Sequence, residues 1–295
     1  MSTALPEITV LIPTRAAAER ATSLRQAIES VLCQQDVAAR VIVLVNGPNA
    51  DAAQSATMLS DPRVTILRRA VADLPAAFQH GARAVDTPWF GTLDDDDLLL
   101  PGALKVRHAA LERHPDCLVA AGNGFRHHDG VDTLHVTDPS EIRRDPLRAL
   151  LARNWLLPGS WLCRTTPVTR ALFDAMPRYL ECTYLGIRFA ALGLTWIDEP
   201  TVRYTVGSAV SESRSSMYIE SQAAALRHIL RLDLPRYARR DLLARISAAH
   251  HRTANLALQD GRVADAWQLH LRTLTAPGGW RYLPLVRHLV RASLR

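Results

Sequence analysis

Four consecutive aspartates, Asp94 to Asp97, are the residues of this 295-residue chain best suited to chemistry. They follow the apolar run Trp89 to Leu93, which reads as a buried strand, so the carboxylates collect where that strand leaves its sheet. Like charges this close are costly unless a cation accompanies them, and hard oxygen ligands of this kind suit Mg²⁺ or Mn²⁺. Such an ion usually keeps positions open for water and substrate phosphates, where it would neutralise a departing diphosphate. The plainer reading of the run is a solvated acidic turn with aspartate at helix-capping positions before Pro101.

The elements around the run decide between these readings. Ile8 to Pro13 is a β-branched apolar run closed by proline, and Leu24 to Leu32 repeats apolar residues at helical spacing. Val41 to Val45 is a continuous apolar run ending in Asn46-Gly47-Pro48-Asn49, the pattern of a fully buried strand entering a turn. Val64 to Leu67 reads as a third strand, Ala76 to Ala84 as a helix, and Trp89 to Leu93 as a fourth strand. This alternation predicts a parallel sheet flanked by helices, with Pro13-Thr14, Asn46-Gly47 and the aspartates all at the carboxyl ends of strands, where ligands sit. Beyond Pro101 the pattern loosens to a helix over Ala103 to Arg113, a strand near Leu118 to Ala121 and polar loops through Asp138. His127-His128-Asp129 reads as part of those loops, as turn residues in preference to metal ligands.

At these residues the chain resembles the inverting family 2 glycosyltransferases of the GT-A fold, over roughly residues 6 to 215. Ile8-Thr-Val-Leu-Ile-Pro13-Thr14 is similar to that family's opening strand, Ala27 to Gln35 to its first helix, and Leu93 to Asp97 with Pro101 to its Asp-x-Asp-Asp signature. The resemblance implies a Rossmann-like, mostly parallel α/β sheet flanked by helices. It implies an inverting transfer of a sugar from a nucleotide-diphosphate sugar to an acceptor hydroxyl, in surface polysaccharide or glycolipid synthesis. It implies Mn²⁺ or Mg²⁺ as cofactor, with Asp97 as metal ligand and Asp94 and Asp96 on the donor ribose and phosphates, while Asp95 fills the variable position. Pro13 and Thr14 would lie against the nucleotide.

Two departures from the family pattern stand out. Val45 and Asn46 occupy positions where two aspartates are common; Asn46 keeps an acceptor oxygen for the donor base and gains an NH₂ donor. A UDP-sugar is the expected donor, although Asn46-Gly47 is equally a tight turn that needs positive φ. The family's general base comes from a Glu-Asp pair opening a helix, matched here by Glu181-Cys182. A thiol of ordinary pKa is a poor stand-in for a carboxylate base, so Glu181 is the expected base, with a first-turn helix acid as its structural alternative. Gly207-Ser208 with Ser211 is similar to the family's late loop over the donor phosphates, without the histidine often found there.

Charge and composition set the remaining bounds. Residues 216 to 295 hold 13 Arg and 5 acidic residues, against 22 Lys or Arg and 24 acidic in residues 1 to 215. The expected division is a GT-A domain over 1 to 215, with a donor half to about 105 and an acceptor half from 106, and a basic helical extension over 216 to 295. Apolar residues recur at helical spacing through Leu226, Ile229, Leu230, Leu242, Leu243 and Ile246, and again from Ala254 to Leu274. The extension suits peripheral contact with an inner membrane surface, or self-association. It has no interleaved aromatics or recognisable module for nucleic acid, so none is expected as a partner. No 18-residue apolar stretch and no leader pattern occurs, and four scattered cysteines fit reduced thiols, so the expectation is cytoplasmic. Two other readings stay open: a nucleotide-sugar binder or assembly protein without turnover, suggested by Val45 and Cys182, and a nucleotidyltransferase of related fold, against which Pro13-Thr14-Arg15-Ala16-Ala17 lacks glycine.

Overall fold

The computed structural model describes residues 4–48, 61–207 and 216–294. The strongest apolar runs form its central strands: β1 (Glu7–Thr14), β2 (Ala38–Asn46), β3 (Val64–Arg69) and β4 (Trp89–Thr92). β1 lies between β2 and β4, parallel to both, with Thr14 opposite Val45 and Leu11 opposite Thr92. From Ile8 to Thr14 every residue of β1 is buried, as expected of a strand covered on both faces. Helix α1 (Ala21–Leu32) turns Leu24, Ala27, Ile28 and Val31 inward, one stripe at helical spacing. Helix α2 (Leu74–Ala84) starts where the Asp73 carboxylate accepts the Ala76 N–H, one of the otherwise orphaned donors of a helix start.

Across β4 the sheet changes character. Among the described residues its order is β3-β2-β1-β4-β8-β6-β9-β5, with β7 paired to β6. The added strands are β5 (Leu98–Leu99), β6 (Val119–His128), β7 (Val131–Leu134), β8 (Trp161–Arg164) and β9 (Leu194–Thr205). The ladders from β3 to β4 are parallel; β8 runs antiparallel to both its neighbours, and β9 runs parallel to β6. The architecture is the expected α/β sheet, parallel in its first half and mixed in its second.

The segment expected to be polar loop is instead a hairpin. β6 continues to His128 and returns through β7, and the two turn residues Asp129 and Gly130 both have positive φ, 48° and 80°. That is the geometry of a two-residue hairpin turn, for which Asp-Gly is a preferred pair. Gly122 and Gly124 let β9 approach: a Cβ on either would lie 2.7 Å from Thr201 Oγ1 or 2.6 Å from Val202 Cγ1. The β6–β9 register shifts at this place, around Asn123.

Helix α3 (Ala103–Arg113) covers the sheet over the residues its sequence predicts. It carries Arg107, which is buried and bonds to Thr201 Oγ1, Thr201 O and Trp161 O, fastening α3 to β8 and β9. Burial, with no carboxylate partner among the described residues, pushes this guanidinium down to about 9. Short helices α4 (Ser140–Arg144), α5 (Pro146–Ala152) and α6 (Pro167–Arg170) follow, then α7 (Glu181–Ala191). Trp155 and Trp161 are core residues, 2% and 1% exposed.

The chain forms two compact units. The first comprises residues up to Arg178 together with Cys182–Gly207; the second takes Tyr179–Glu181 and the residues after Gly207. The second unit contains α8 (Ser216–Ile229), α9 (Arg236–Gln259), α10 (Val263–Leu274) and α11 (Leu285–Ser293). Within it Ala254, Ala257 and Ala266 pack with Leu285 and Leu289. No helix of the described residues is long and apolar enough to cross a membrane.

Candidate active site

The aspartate run lies where parallel strands diverge. β1 feeds β2 on one side and, later in the chain, neighbours β4 on the other, so the carboxyl ends of β1 and β4 flank a topological switch point. Leu93, the residue after β4, still donates its N–H to Leu11 O, and the chain then turns, with Asp97 N–H reaching Asp94 O at 3.2 Å. The turn divides the four carboxylates into two kinds: Asp95 and Asp97 are buried, Asp94 and Asp96 half-buried.

Asp95, which the family resemblance assigns to a variable position, has both carboxylate oxygens bonded inside the protein. Its Oδ2 accepts from Thr14 Oγ1 at 2.6 Å and its Oδ1 from Arg20 at 2.8 Å. Thr14 Oγ1 in turn accepts the N–H of Ala16, a non-glycine residue held at φ 49°. Thr14 is thereby locked at the end of β1 beside Pro13, which is buried opposite Leu44. Burial raises the Asp95 pKa while Thr14 and Arg20 oppose the rise.

Arg20 is the residue that sequence reasoning missed. The same Nη1 lies 2.8 Å from Asp95 Oδ1 and 2.9 Å from Asp96 Oδ2. Burial works against its charge, but Asp95 and Asp96 outweigh it and its pKa rises. Part of the like-charge cost assigned to a metal is therefore met by an arginine of the chain itself. The available signal was an Arg in the turn between the first strand and first helix, on the side where that strand ends.

Asp97 differs from the rest. It is wholly buried; Oδ1 accepts the Thr205 N–H at 2.8 Å, while Oδ2 is buried with no hydrogen-bond partner among the described residues. Thr205 also ties its hydroxyl to Asp96 O at 2.7 Å, so the end of β9 clamps the turn. Desolvation first, then the charges of Asp94, Asp96 and Asp95, hold this carboxyl well above the usual range, opposed by the Thr205 N–H. The neighbouring Tyr204 hydroxyl is pushed up to about 12 by burial and by Asp97 and Asp94.

A buried carboxyl oxygen with no partner among the described residues, beside further carboxylates, fits a divalent cation, whose charge would favour its ionised form. Among the described residues no group of three His, Cys, Asp or Glu could hold one unaided. A cation here would draw the rest of its shell from ligand oxygens and water, as Mg²⁺ and Mn²⁺ do at phosphate sites.

Asn46 ends β2 and is buried; its Oδ1 accepts the Asp73 N–H at 2.8 Å. Its acceptor oxygen thus already holds the loop before α2, which leaves the NH₂ as the freer end for a base. Glu181 is the first residue of α7 and belongs to the second unit. Its Oε1 accepts the Tyr179 N–H at 2.8 Å, closing a turn in which Tyr179 and Leu180 both have positive φ, 69° and 60°. Two successive bulky residues in that region are strained, each by about 1–3 kcal/mol, and strain of this kind gathers at functional positions.

His127 and His128 are strand residues. His127 Nδ1 pairs with Asp132 at 2.7 Å, and Asp132 pairs with Arg203 at 2.6 Å, across β6, β7 and β9. Gly207 is described, whereas Ser208 and Ser211 lie outside the described residues.

The sheet order and the acidic turn at its switch point are those of a GT-A-type α/β protein. The family model for glycosyl transferase family 2 matches residues 9–161, and the chain belongs to that family. Solved structures agree on the fold. S. aureus TarS 1–349 in complex with UDP-GlcNAc aligns with a TM-score of 0.60 at 14% identity, covering 83% of this chain and 73% of that one. Its complex with UDP aligns at 0.60 and 15%, covering 89% and 80%. The mannosyltransferase PcManGT from Pyrobaculum calidifontis, in complex with GDP-Man and Mn²⁺, aligns at 0.53 and 15%, covering 99% and 87%. No curated protein matches the chain by sequence.

Proposed function

We propose that this glycosyltransferase moves a sugar from a nucleotide-diphosphate sugar to an acceptor hydroxyl with inversion, in surface polysaccharide or glycolipid synthesis, with Mn²⁺ or Mg²⁺ as cofactor. The observation that carries the reading is the buried Asp97 Oδ2, which has no hydrogen-bond partner among the described residues and sits next to the half-buried Asp94 and Asp96 at the carboxyl end of β4. A divalent cation held by Asp97 would supply charge neutralisation for the leaving diphosphate. Asp94 and Asp96 are assigned to the donor ribose and phosphates, and Pro13 and Thr14 to the nucleotide, an assignment supported by the Thr14–Asp95 bond that fixes this edge. Asn46 is assigned to the base, presenting its NH₂ to a carbonyl acceptor such as those of uracil. A UDP-sugar is the donor proposed, and a glycan or lipid-linked molecule the acceptor.

Glu181 is proposed as general base. As the acceptor hydroxyl attacks the anomeric carbon, the bond to the nucleoside diphosphate breaks and the hydroxyl proton passes to the carboxylate. The strained turn that presents Glu181 supports this role. The proposed domain division is a transferase domain over 1–215 and a basic extension over 216–295, and the proposed location is cytoplasmic.

Two observations favour a second reading, a nucleotide-sugar binder without turnover: Cys182 stands at the family's aspartate position, and one Glu181 oxygen is spent on its own turn. Turnover with a panel of nucleotide sugars separates the two. The proposal expects hydrolysis or transfer that Asp97→Ala and Glu181→Gln both abolish while donor binding survives in Glu181→Gln. Turnover retained in Asp97→Ala would remove Asp97 from the mechanism, and donor binding with no turnover in the wild type would favour the binder.

A further inference from the structure

The second unit carries a surface that includes none of the residues assigned to sugar transfer. From Ala266 to Arg295 the chain has five arginines and no acidic residue. Helix α11 buries Leu285 and Leu289, four residues apart, in the apolar cluster of its unit. On its other side Arg287, Val290, Arg291 and Leu294 follow at i, i+3, i+4 and i+7, a single exposed stripe. Trp280 and Leu283, seven and four residues before Arg287, continue the series into the preceding turn.

Four large apolar side chains on this short stretch face water: Trp280 is 69% exposed, Leu283 52%, Val290 43% and Leu294 83%. The Arg281 guanidinium lies over the Trp280 ring, 5.8 Å from its centroid. Single exposed apolar residues need no explanation, but four interleaved with cations at helical spacing do. Arginine-rich faces interleaved with Trp, Leu and Val belong to helices that lie in a lipid–water interface, the aromatic ring at headgroup level and the cations on phosphates.

Charge complementarity chooses the occupant. A second copy packed two-fold on this same face would set Arg287 and Arg291 against their own equivalents, with no acidic residue in the last thirty to pair them. Nucleic acid would take the arginines but leave Leu283, Val290 and Leu294 unsatisfied. We propose that α11 and the turn before it dock this protein on an anionic bilayer surface, Trp280, Leu283, Val290 and Leu294 entering the headgroup boundary while Arg281, Arg287 and Arg291 hold lipid phosphates.

The test is flotation of the full chain with phosphatidylcholine vesicles, with and without phosphatidylglycerol, alongside light scattering of the protein alone and a competing single-stranded RNA. The wild type should float with the anionic vesicles and not with the neutral ones. Arg287→Gln with Arg291→Gln should weaken partitioning by about 30-fold, at roughly 5-fold per surface arginine. Trp280→Ala with Leu294→Ser, at unchanged charge, should weaken it by about tenfold or more. Both pairs change exposed side chains, so thermal melting should stay at the wild-type value and loss of binding is not loss of fold. Failure of the wild type to float, flotation unaffected by Trp280→Ala with Leu294→Ser, an oligomer that these substitutions dissociate, or release of the protein from vesicles to RNA would each overturn the proposal.

Discussion

Replacing Arg20 with Met removes one cation from two carboxylates and leaves the packing volume nearly unchanged. The ion-pair members are 23%, 11% and 24% exposed, so the triad is neither a surface pair nor a dry one. Exposed pairs contribute about 0–1 kcal/mol, whereas removing one partner of a buried pair costs about 3–5 kcal/mol. A mostly buried triad that still touches solvent should fall between, at about 2–3 kcal/mol. For a folding unit of this size that is a drop of about 5–10 °C in melting temperature. The loss should shrink when Asp95 is also neutralised, because the orphaned charge is then gone: the cycle of Arg20→Met with Asp95→Asn should show about 1–2 kcal/mol of coupling. Mn²⁺ should recover part of the lost stability in Arg20→Met, since the cation meets two uncompensated carboxylates. Calorimetric or circular-dichroism melts of the four proteins, with and without Mn²⁺, measure all three effects. A cost below about 0.5 kcal/mol, or additivity of the two substitutions within about 0.5 kcal/mol, would refute the role given to Arg20.

Three further predictions concern pH and packing. The raised Asp97 pKa means the folded state holds an extra proton in a window that opens above the ordinary carboxylate value of 3.8; its stabilising contribution is present at low pH and is lost as pH rises through the raised value. Cation binding needs the carboxylate, so the melting shift given by Mn²⁺ should grow with pH across that window and vanish in Asp97→Asn, as melts over a pH series would show. His135 has the opposite sign: burial pushes it down from 6.5 to about 4, so on the order of 2 kcal/mol of stability should be lost as pH falls between those values, and His135→Gln should flatten that slope. Arg107→Met removes the bonds from α3 to Thr201 and Trp161 and should cost about 2–4 kcal/mol by chemical denaturation; an unchanged midpoint would mean β9 is held in place by other contacts.

How far the sequence could be read depended on how local each signal was. β1, β2 and β4 announce themselves because strands buried on both faces must be apolar throughout, and α3 because Gly102 and Pro101 set its start. The aspartates were correctly placed at a strand end for the same reason. The β6–β7 hairpin was hidden: a strand built as Gly122-Asn123-Gly124 with polar residues beyond it looks like loop, and its glycines are explained only by β9, some eighty residues later in the chain. Thr205 was invisible for a related reason and Arg20 nearly so, its one signal being its place in the turn after β1: neither carries a motif, and each acquires its role by meeting the aspartate turn across the fold. Asn46 was read as a base contact, and the structure adds that its oxygen is already in use by Asp73.

Thermal melts with a panel of nucleoside diphosphates and nucleotide sugars, each with and without Mn²⁺, test most directly for a cation-dependent nucleotide site at Asp97. A Tm shift of about 5–10 °C is expected with one nucleotide at about a hundred times its dissociation constant, present only with the cation and absent in Asp97→Asn. A shift that does not need the cation, one that survives Asp97→Asn, or none with any nucleotide would contradict it.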